Sequence, residues 1–191
     1  MKSDLILVLE AATFAADKHR HQRRKDAEAS PYINHPLALA DILAREGGVE
    51  DVEIIAAALL HDTVEDTETT IGEIEVRFGP RVAGIVAEVT DDKNLAPETR
   101  KQLQVTNAKG KSFGAKLVKL ADKTANVRDL TSAPPADWAE ERKARYFEWA
   151  KEVVDELRGT NDRLEAAFDE AYGRGRAITH QPSPSDFRAI K

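Results

Sequence analysis

Residues 54–66 read IIAAALLHDTVED, an apolar run that changes abruptly into a titratable one. The first seven residues of this stretch are all apolar, and a helix that is apolar on every side lies buried at the centre of a protein. The sequence therefore predicts a buried central helix over residues 51–65. No segment shows sustained two-residue alternation flanked by hairpin turns, which argues against a β-sheet. We expect an all-α fold, with a single helical domain built around this helix.

Start and stop signals for helices recur along the rest of the chain. Pro36 stands at the start of a helix that the Gly47-Gly48 pair ends, and Thr70 and Glu73 have the spacing of a capping box. Further helices are predicted at residues 5–18, 81–88, 97–105, 113–127, 138–157 and 161–172.

The domain organisation follows from length and from composition near the C-terminus. A chain of 191 residues is long enough to bury one substantial core. From Gly173 onward the helical periodicity is lost and Gly, Pro and Ser become frequent. We therefore expect one domain at residues 1–172 and a flexible tail at residues 173–191.

Composition excludes several classes of function. The chain has 28 Lys and Arg residues against 34 Asp and Glu residues, a formal net charge of −6, whereas nucleic-acid binding needs a cationic surface. The absence of cysteine excludes a disulfide scaffold, a thiolate nucleophile and a cysteine-ligated metal. The longest apolar stretch, residues 54–60, is far shorter than the roughly 20 residues that span a bilayer. We expect a soluble, cytoplasmic protein that binds neither nucleic acid nor membranes.

A titratable cluster ends the predicted central helix. Positions four apart lie roughly 40° apart around a helix, so His61 projects beside Glu65, and Asp62 projects beside Asp66. The helix macrodipole repels carboxylates at a C-terminus, and a bound cation would resolve that conflict. The alternative is a solvated acidic helix end with a histidine packed on it.

A metal shell needs further ligands from elsewhere in the chain. His35 is the best second imidazole, because His19 and His21 lie in a basic stretch and His180 lies in the tail. Asp122 interrupts a segment that is otherwise apolar or basic, and it either pairs with a neighbouring lysine or faces a metal. Two imidazoles with two carboxylates suit Mn²⁺, Fe²⁺ or Zn²⁺ better than Ca²⁺ or Mg²⁺, which prefer shells of oxygen.

Residues 18–25, KHRHQRRK, concentrate five fixed positive charges in an acidic chain. Cations at a helix C-terminus interact favourably with the macrodipole, which accounts for one or two of them. Arginine forks and lysine ammonium groups also match phosphate oxygens. A metal site together with a phosphate-binding segment is the arrangement expected of a phosphohydrolase.

The succession of His35, the His61-Asp62 pair and Asp122 resembles the H…HD…D signature of the HD superfamily of metal-dependent phosphohydrolases. Within it, the chain is most similar to the hydrolase domain of RelA/SpoT alarmone enzymes of the small, stand-alone metazoan type. The likeness runs from about residue 4 to about residue 172. The motifs that carry it are residues 23–25 (RRK), 31–36 (PYINHP), 60–66 (LHDTVED), 88–93 (EVTDDK), 119–123 (KLADK) and Asn126.

The resemblance implies an all-helical fold and hydrolysis of the 3′-diphosphate of guanosine tetra- or pentaphosphate by a metal-activated water. The products would be pyrophosphate and GDP or GTP. It also implies one bound Mn²⁺ ion, for which the ligands would be His35, His61, Asp62 and Asp122.

The same resemblance assigns roles to other side chains. Glu65 and Asp66 would orient and deprotonate the attacking water, which requires a base within hydrogen-bond reach. The residues that would contact the nucleotide are Arg24, Lys25, Asn126 and Tyr146.

Two alternatives and one departure accompany this interpretation. Members of the metazoan type are also associated with removal of the 2′-phosphate of NADPH, and a non-catalytic nucleotide sensor is a third hypothesis. The family usually has leucine and then histidine or tyrosine before the asparagine, where this chain has Thr124 and Ala125. These smaller residues are expected to change the shape of the base pocket.

Overall fold

The structure is a computed structural model that describes residues 3–179. Its α-helices are α1 (Asp4–Lys18), α2 (Asn34–Asp41), α3 (Val52–Leu60), α4 (Thr63–Asp66), α5 (Ile71–Phe78), α6 (Pro80–Val89), α7 (Pro97–Ala108), α8 (Phe113–Ser132), α9 (Glu140–Asp155) and α10 (Asp162–Thr179). A π-helical turn, Ile42–Glu46, extends α2. Over the described residues the only β-structure is an isolated bridge between Arg23 and Pro31, so the all-α prediction is confirmed.

The centre of the fold is α3, as its composition predicts. Every residue from Ile54 to Leu60 is at most 8% exposed. The helix packs against α1, α2, α6 and α8. Burial of this all-apolar segment holds both its C-terminal end and the middle of α8 inside the protein. Between residues 3 and 179, no helix is long and apolar enough to cross a membrane.

The central helix is shorter than the sequence predicts. It ends at Leu60, and Thr63–Asp66 forms a separate single-turn helix. At the break, two side chains form hydrogen bonds with carbonyl groups of the last turn of α3. His61 Nδ1 donates to the Ala58 carbonyl at 2.8 Å, and Thr63 Oγ1 donates to the Leu60 carbonyl at 2.7 Å. Such side-chain bonds compete with the backbone ladder and end the helix. His61 and Asp62 therefore lie in a turn, not on a helical face shared with Glu65 and Asp66.

The last helix is longer than the sequence predicts. Where the tail was expected to begin, at Gly173, α10 continues as far as Thr179. Within this helix a glycine is needed at position 175, because a Cβ at Gly175 would lie 2.7 Å from the Phe147 ring. The glycine allows close packing of α10 on α9 and does not signal a helix end. Residues 180–191 lie outside the described residues, and a domain boundary at residue 172 stays a prediction.

Candidate active site

Three segments bring their histidine and aspartate side chains together. His35 lies in the first turn of α2, His61 and Asp62 lie in the turn after α3, and Asp122 lies in the middle of α8. The ligand atoms of His35, His61 and Asp62 all lie within 4.8 Å of one another. Asp122 joins them through its Oδ1, which is 3.4 Å from His35 Nε2. The residues that the sequence singles out as metal ligands thus converge on one buried place.

The chemistry of this cluster fits a divalent metal ion. Because His61 Nδ1 donates to the Ala58 carbonyl, Nε2 is left with its lone pair. That Nε2 is buried and has no hydrogen-bond partner among the described residues, although Asp62 Oδ2 lies only 2.8 Å away. Two electron-pair donors at this distance are stabilised by a cation between them, either a proton or a metal ion.

Charge interactions shift the titration of the cluster. Burial lowers the pKa of His61, but the carboxylates of Asp62 and Asp122 outweigh it and raise that pKa. Burial raises the pKa of Asp62, but His61 and His35 outweigh burial and hold the pKa well below its usual range. Asp62 is therefore ionised and available as a ligand at neutral pH.

Asp122 combines the two roles that the sequence left open. Its Oδ2 accepts a hydrogen bond from Lys123 Nζ at 2.9 Å, while its Oδ1 faces His35 and accepts from Asn126 Nδ2 at 2.6 Å. Burial raises the pKa of Asp122, but Lys123 and His35 outweigh burial and lower it well below the ordinary value. One carboxylate oxygen is thus neutralised by lysine and the other is directed at the cluster.

Tyr32 is a site residue that was not predicted from the sequence. Its hydroxyl donates to Asp62 Oδ2 at 2.5 Å. Burial, followed by the charge of Asp62, raises the pKa of Tyr32, so the phenol keeps its proton. The available signal was its position in the PYINHP motif, three residues before His35.

A cavity of about 460 Å³ adjoins the cluster, and His35 and Tyr32 form part of its wall. All four residues that were expected to contact a nucleotide also line it: Arg24, Lys25, Asn126 and Tyr146. Trp138 completes an aromatic wall, with its ring centroid 5.8 Å from that of Tyr146. The cavity therefore combines aromatic surface, positive charge and an opening toward a candidate metal ligand.

The basic stretch at residues 18–25 divides into two parts. Lys18 pairs with Glu68 and Glu73 on the outer surface, and His19 is buried. Arg23, Arg24 and Lys25 line the cavity instead. Only the second part of the stretch is placed to meet a ligand there. Arg24 is held by an ion pair with Asp129, which orients its guanidinium.

Glu65 and Asp66 lie on α4, away from the cavity wall. Glu65 Oε2 accepts from the Asp91 backbone N–H at 3.2 Å, and its Oε1 is 3.6 Å from Arg100 Nη1. Asp66 forms an ion pair with Lys93. Burial, opposed by the hydrogen bond from Asp91, raises the pKa of Glu65, and the charges of Asp91 and Asp62 raise it further. A raised carboxyl pKa is a property of proton-transferring groups.

The two residues that depart from the family pattern are internal to α8. Thr124 is fully buried and its Oγ1 donates to the Leu120 carbonyl at 2.8 Å, while Ala125 is 3% exposed. Neither lines the cavity.

Comparison with known proteins gives consistent matches over most of the chain. A family model described as HD domain matches residues 11–148. The guanosine-3′,5′-bis(diphosphate) 3′-pyrophosphohydrolase MESH1 of Xenopus tropicalis is 58% identical over 172 residues, which cover 90% of this chain and 96% of that protein. The protein of the same name from Homo sapiens is 55% identical with the same coverage.

A solved structure is similar over a comparable length. It is described as a metazoan ortholog of SpoT that hydrolyses ppGpp and plays a role in starvation responses. It matches with a TM-score of 0.86 and 48% sequence identity, covering 91% of this chain and 96% of the other. On its helical fold, its buried histidine–aspartate cluster and these matches, the chain belongs to the HD-domain family and, within it, to the group that includes the MESH1 proteins.

Proposed function

We propose that this protein is a Mn²⁺-dependent guanosine-3′,5′-bis(diphosphate) 3′-pyrophosphohydrolase. Water attacks the phosphorus bonded to the ribose 3′ oxygen, the bond between that phosphorus and the oxygen breaks, and the 3′ oxygen takes up a proton. The products are pyrophosphate and GDP, or GTP from the pentaphosphate. The proposal draws on the MESH1 relatives, which match almost end to end, and on the site's own chemistry.

The ligands of the metal would be His35, His61, Asp62 and Asp122. Two imidazoles with two carboxylates favour a first-row divalent ion such as Mn²⁺, and Fe²⁺ or Zn²⁺ would fit the same donors. When bound, such an ion supplies Lewis acidity, which acidifies water and stabilises charge on phosphoryl oxygens. This part of the proposal rests on the buried Nε2 of His61, which has no hydrogen-bond partner within residues 3–179 and faces Asp62 Oδ2 at 2.8 Å.

The cavity residues would bind and orient the nucleotide. The Arg24 guanidinium can stack on a base or bind phosphate, and the exposed Lys25 ammonium can meet phosphate as a point charge. Asn126 and Tyr146 add an amide and a phenol to the cavity wall. Burial raises the pKa of Tyr146 to about 12, with the charge of Lys123 opposing this rise and the charge of Asp122 adding to it, so the phenol acts as a neutral hydrogen-bonding group.

Glu65 and Asp66 would handle the proton of the attacking water. Glu65 is the better proton acceptor of the two, because its carboxyl pKa is raised and its ion pair with Arg100 is long. Asp66 would help to orient the water while Lys93 neutralises its charge.

The proposed function rests on one observation: His35 belongs to the metal cluster and also lines the basic cavity. A phosphate held by Arg24 and Lys25 is therefore held next to the candidate metal ligands. The test is to offer purified protein with Mn²⁺ guanosine tetraphosphate and NADPH in parallel, and to measure pyrophosphate and orthophosphate separately. We expect pyrophosphate from the guanosine nucleotide, and its complete absence would refute the proposal, even if NADPH released orthophosphate.

A further inference from the structure

The oxygen that faces the metal cluster is held by a residue outside the ligand set. Asp62 Oδ2 lies 2.8 Å from His61 Nε2 and 4.0 Å from His35 Nε2, so it is the carboxylate oxygen that is turned toward both imidazoles. The same oxygen accepts the hydroxyl hydrogen bond of Tyr32 at 2.5 Å. The terminal torsion of an aspartate is broad, so a fixed donor to one oxygen sets the rotation of the carboxylate group.

Tyr32 is itself held in place on several sides. Its ring packs against that of His19 with the centroids 4.7 Å apart, and meets the His35 ring edge-on at 6.1 Å. His19 is 2% exposed and bonds through Nδ1 to Gln22 Oε1 at 2.7 Å, so the ring beneath Tyr32 cannot move freely. The Arg24 guanidinium lies 5.9 Å from the Tyr32 ring on the cavity side.

We propose that Tyr32 is a positioning residue, whose hydroxyl aims the Asp62 carboxylate at the metal. This inference rests on the metal centre of the proposed function and deepens it by naming the group that aligns one ligand. Partners of metal ligands fix the orientation of those ligands, and removing one lowers metal affinity by about 10- to 100-fold. Tyr32 also joins the two halves of the site, because it contacts a ligand on one side and lines the nucleotide cavity on the other.

The test is calorimetric titration of metal-free protein with MnCl₂ alone, which needs no nucleotide. The variants are Tyr32→Phe, which removes only the hydroxyl, and Tyr172→Phe as a matched control. The Tyr172→Phe variant loses a hydroxyl that donates to the exposed Glu148, and Tyr172 does not line the nucleotide cavity. We expect the dissociation constant for Mn²⁺ to rise about tenfold or more in Tyr32→Phe and to stay at the wild-type value in Tyr172→Phe.

A second measurement separates alignment from stability. The Mn²⁺ concentration for half-maximal activity does not depend on how much of the variant is folded, and it should rise in Tyr32→Phe while saturating Mn²⁺ restores most of the rate. Unchanged Mn²⁺ affinity and unchanged half-saturation in Tyr32→Phe would overturn the role of Tyr32 alone. Failure of the wild-type protein to bind Mn²⁺ would overturn the metal centre and this inference together.

Discussion

His61 shows how one side chain can end a helix and prepare a metal ligand. Its Nδ1 donates to the Ala58 carbonyl at the end of α3, and the same bond turns Nε2 toward Asp62. The tautomer is therefore decided by the local backbone before any ion binds. This coupling explains why the cluster lies in the turn after the buried helix rather than along it.

His61→Ala should abolish Mn²⁺ binding and turnover together, because it removes Nε2, the imidazole nitrogen that would bind the metal. The exposed His21 provides the matched control, and His21→Ala should bind Mn²⁺ as the wild type does. Calorimetric titration with MnCl₂ and a hydrolysis assay give the two readouts. Retained hydrolysis in His61→Ala would remove the metal centre from the account.

Glu65→Gln should keep Mn²⁺ binding and lower kcat by about 10²- to 10⁴-fold, the usual contribution of a general base. Because the folded-state pKa of Glu65 is raised, the wild-type carboxylate takes up a proton at a higher pH than an ordinary glutamate does. Wild-type activity should therefore fall as the pH decreases through that raised value, and the acid limb should be absent in Glu65→Gln.

The control for this pH profile is Glu68→Gln, which alters an exposed glutamate paired with Lys18. It should follow the wild-type curve in both height and shape. A Glu65→Gln enzyme with the wild-type rate would show that another group accepts the proton.

Among the secondary-structure elements, α3 could be predicted from composition, but its end could not. Hydrophobic periodicity records which residues are buried, whereas the break after Leu60 depends on side-chain bonds from His61 and Thr63 to helix carbonyls. The contact between Tyr32 and Asp62 could not be predicted from the sequence either. It joins the segment before α2 to the turn after α3, and these segments meet only in the folded chain. The cluster residues themselves were accessible because their residue types and order are visible in the sequence.

The packing of α10 gives an element-scale prediction from two nearby glycines. In Gly175→Ala the new Cβ would meet the Phe147 ring at 2.7 Å and Thr131 Oγ1 at 2.9 Å, which should lower the free energy of unfolding by about 1–3 kcal/mol. Apart from its chain neighbours and the nearby backbone of α10, no atom of the described residues lies within 4 Å of a Cβ added at Gly173, so Gly173→Ala should raise the free energy of unfolding by about 0.5–1 kcal/mol through helix propensity. Denaturant unfolding measures both changes, and equal effects would contradict this packing.

For the whole molecule, metal binding should be linked to stability, because the ligands come from α2, the turn after α3, and α8. At a free Mn²⁺ concentration 100 times the dissociation constant, the free energy of unfolding should rise by about 2.7 kcal/mol. For a chain of this length that corresponds to a rise in Tm of roughly 5–11 °C, which chelation with EDTA should reverse. A thermal melt of the His61→Ala protein should show no such rise, and an unshifted wild-type melt would contradict the linkage.

The net charge of the chain does not show that several basic residues are gathered at one cavity in the folded protein. The net charge of −6 argues against nucleic-acid binding, yet Arg23, Arg24 and Lys25 line one cavity whose wall includes His35. The resemblance assigned Arg24 and Lys25 to the nucleotide, and both line the cavity, whereas the charge pattern alone did not separate them from Lys18 and His19. Because α1 extends to Lys18, this residue forms an ion pair with Glu68, and His19, which follows it, is buried.

The identity of the nucleotide product decides whether the protein cleaves at the 3′ position with Mn²⁺. Purified wild-type protein is incubated with guanosine tetraphosphate and Mn²⁺, and the products are separated by ion-exchange chromatography beside standards. We expect GDP and pyrophosphate in equal amounts, with no turnover after EDTA treatment and recovery on adding Mn²⁺. A nucleotide product that retains a 3′-phosphate, or turnover that continues without any metal, would rule out metal-dependent cleavage at the 3′ oxygen.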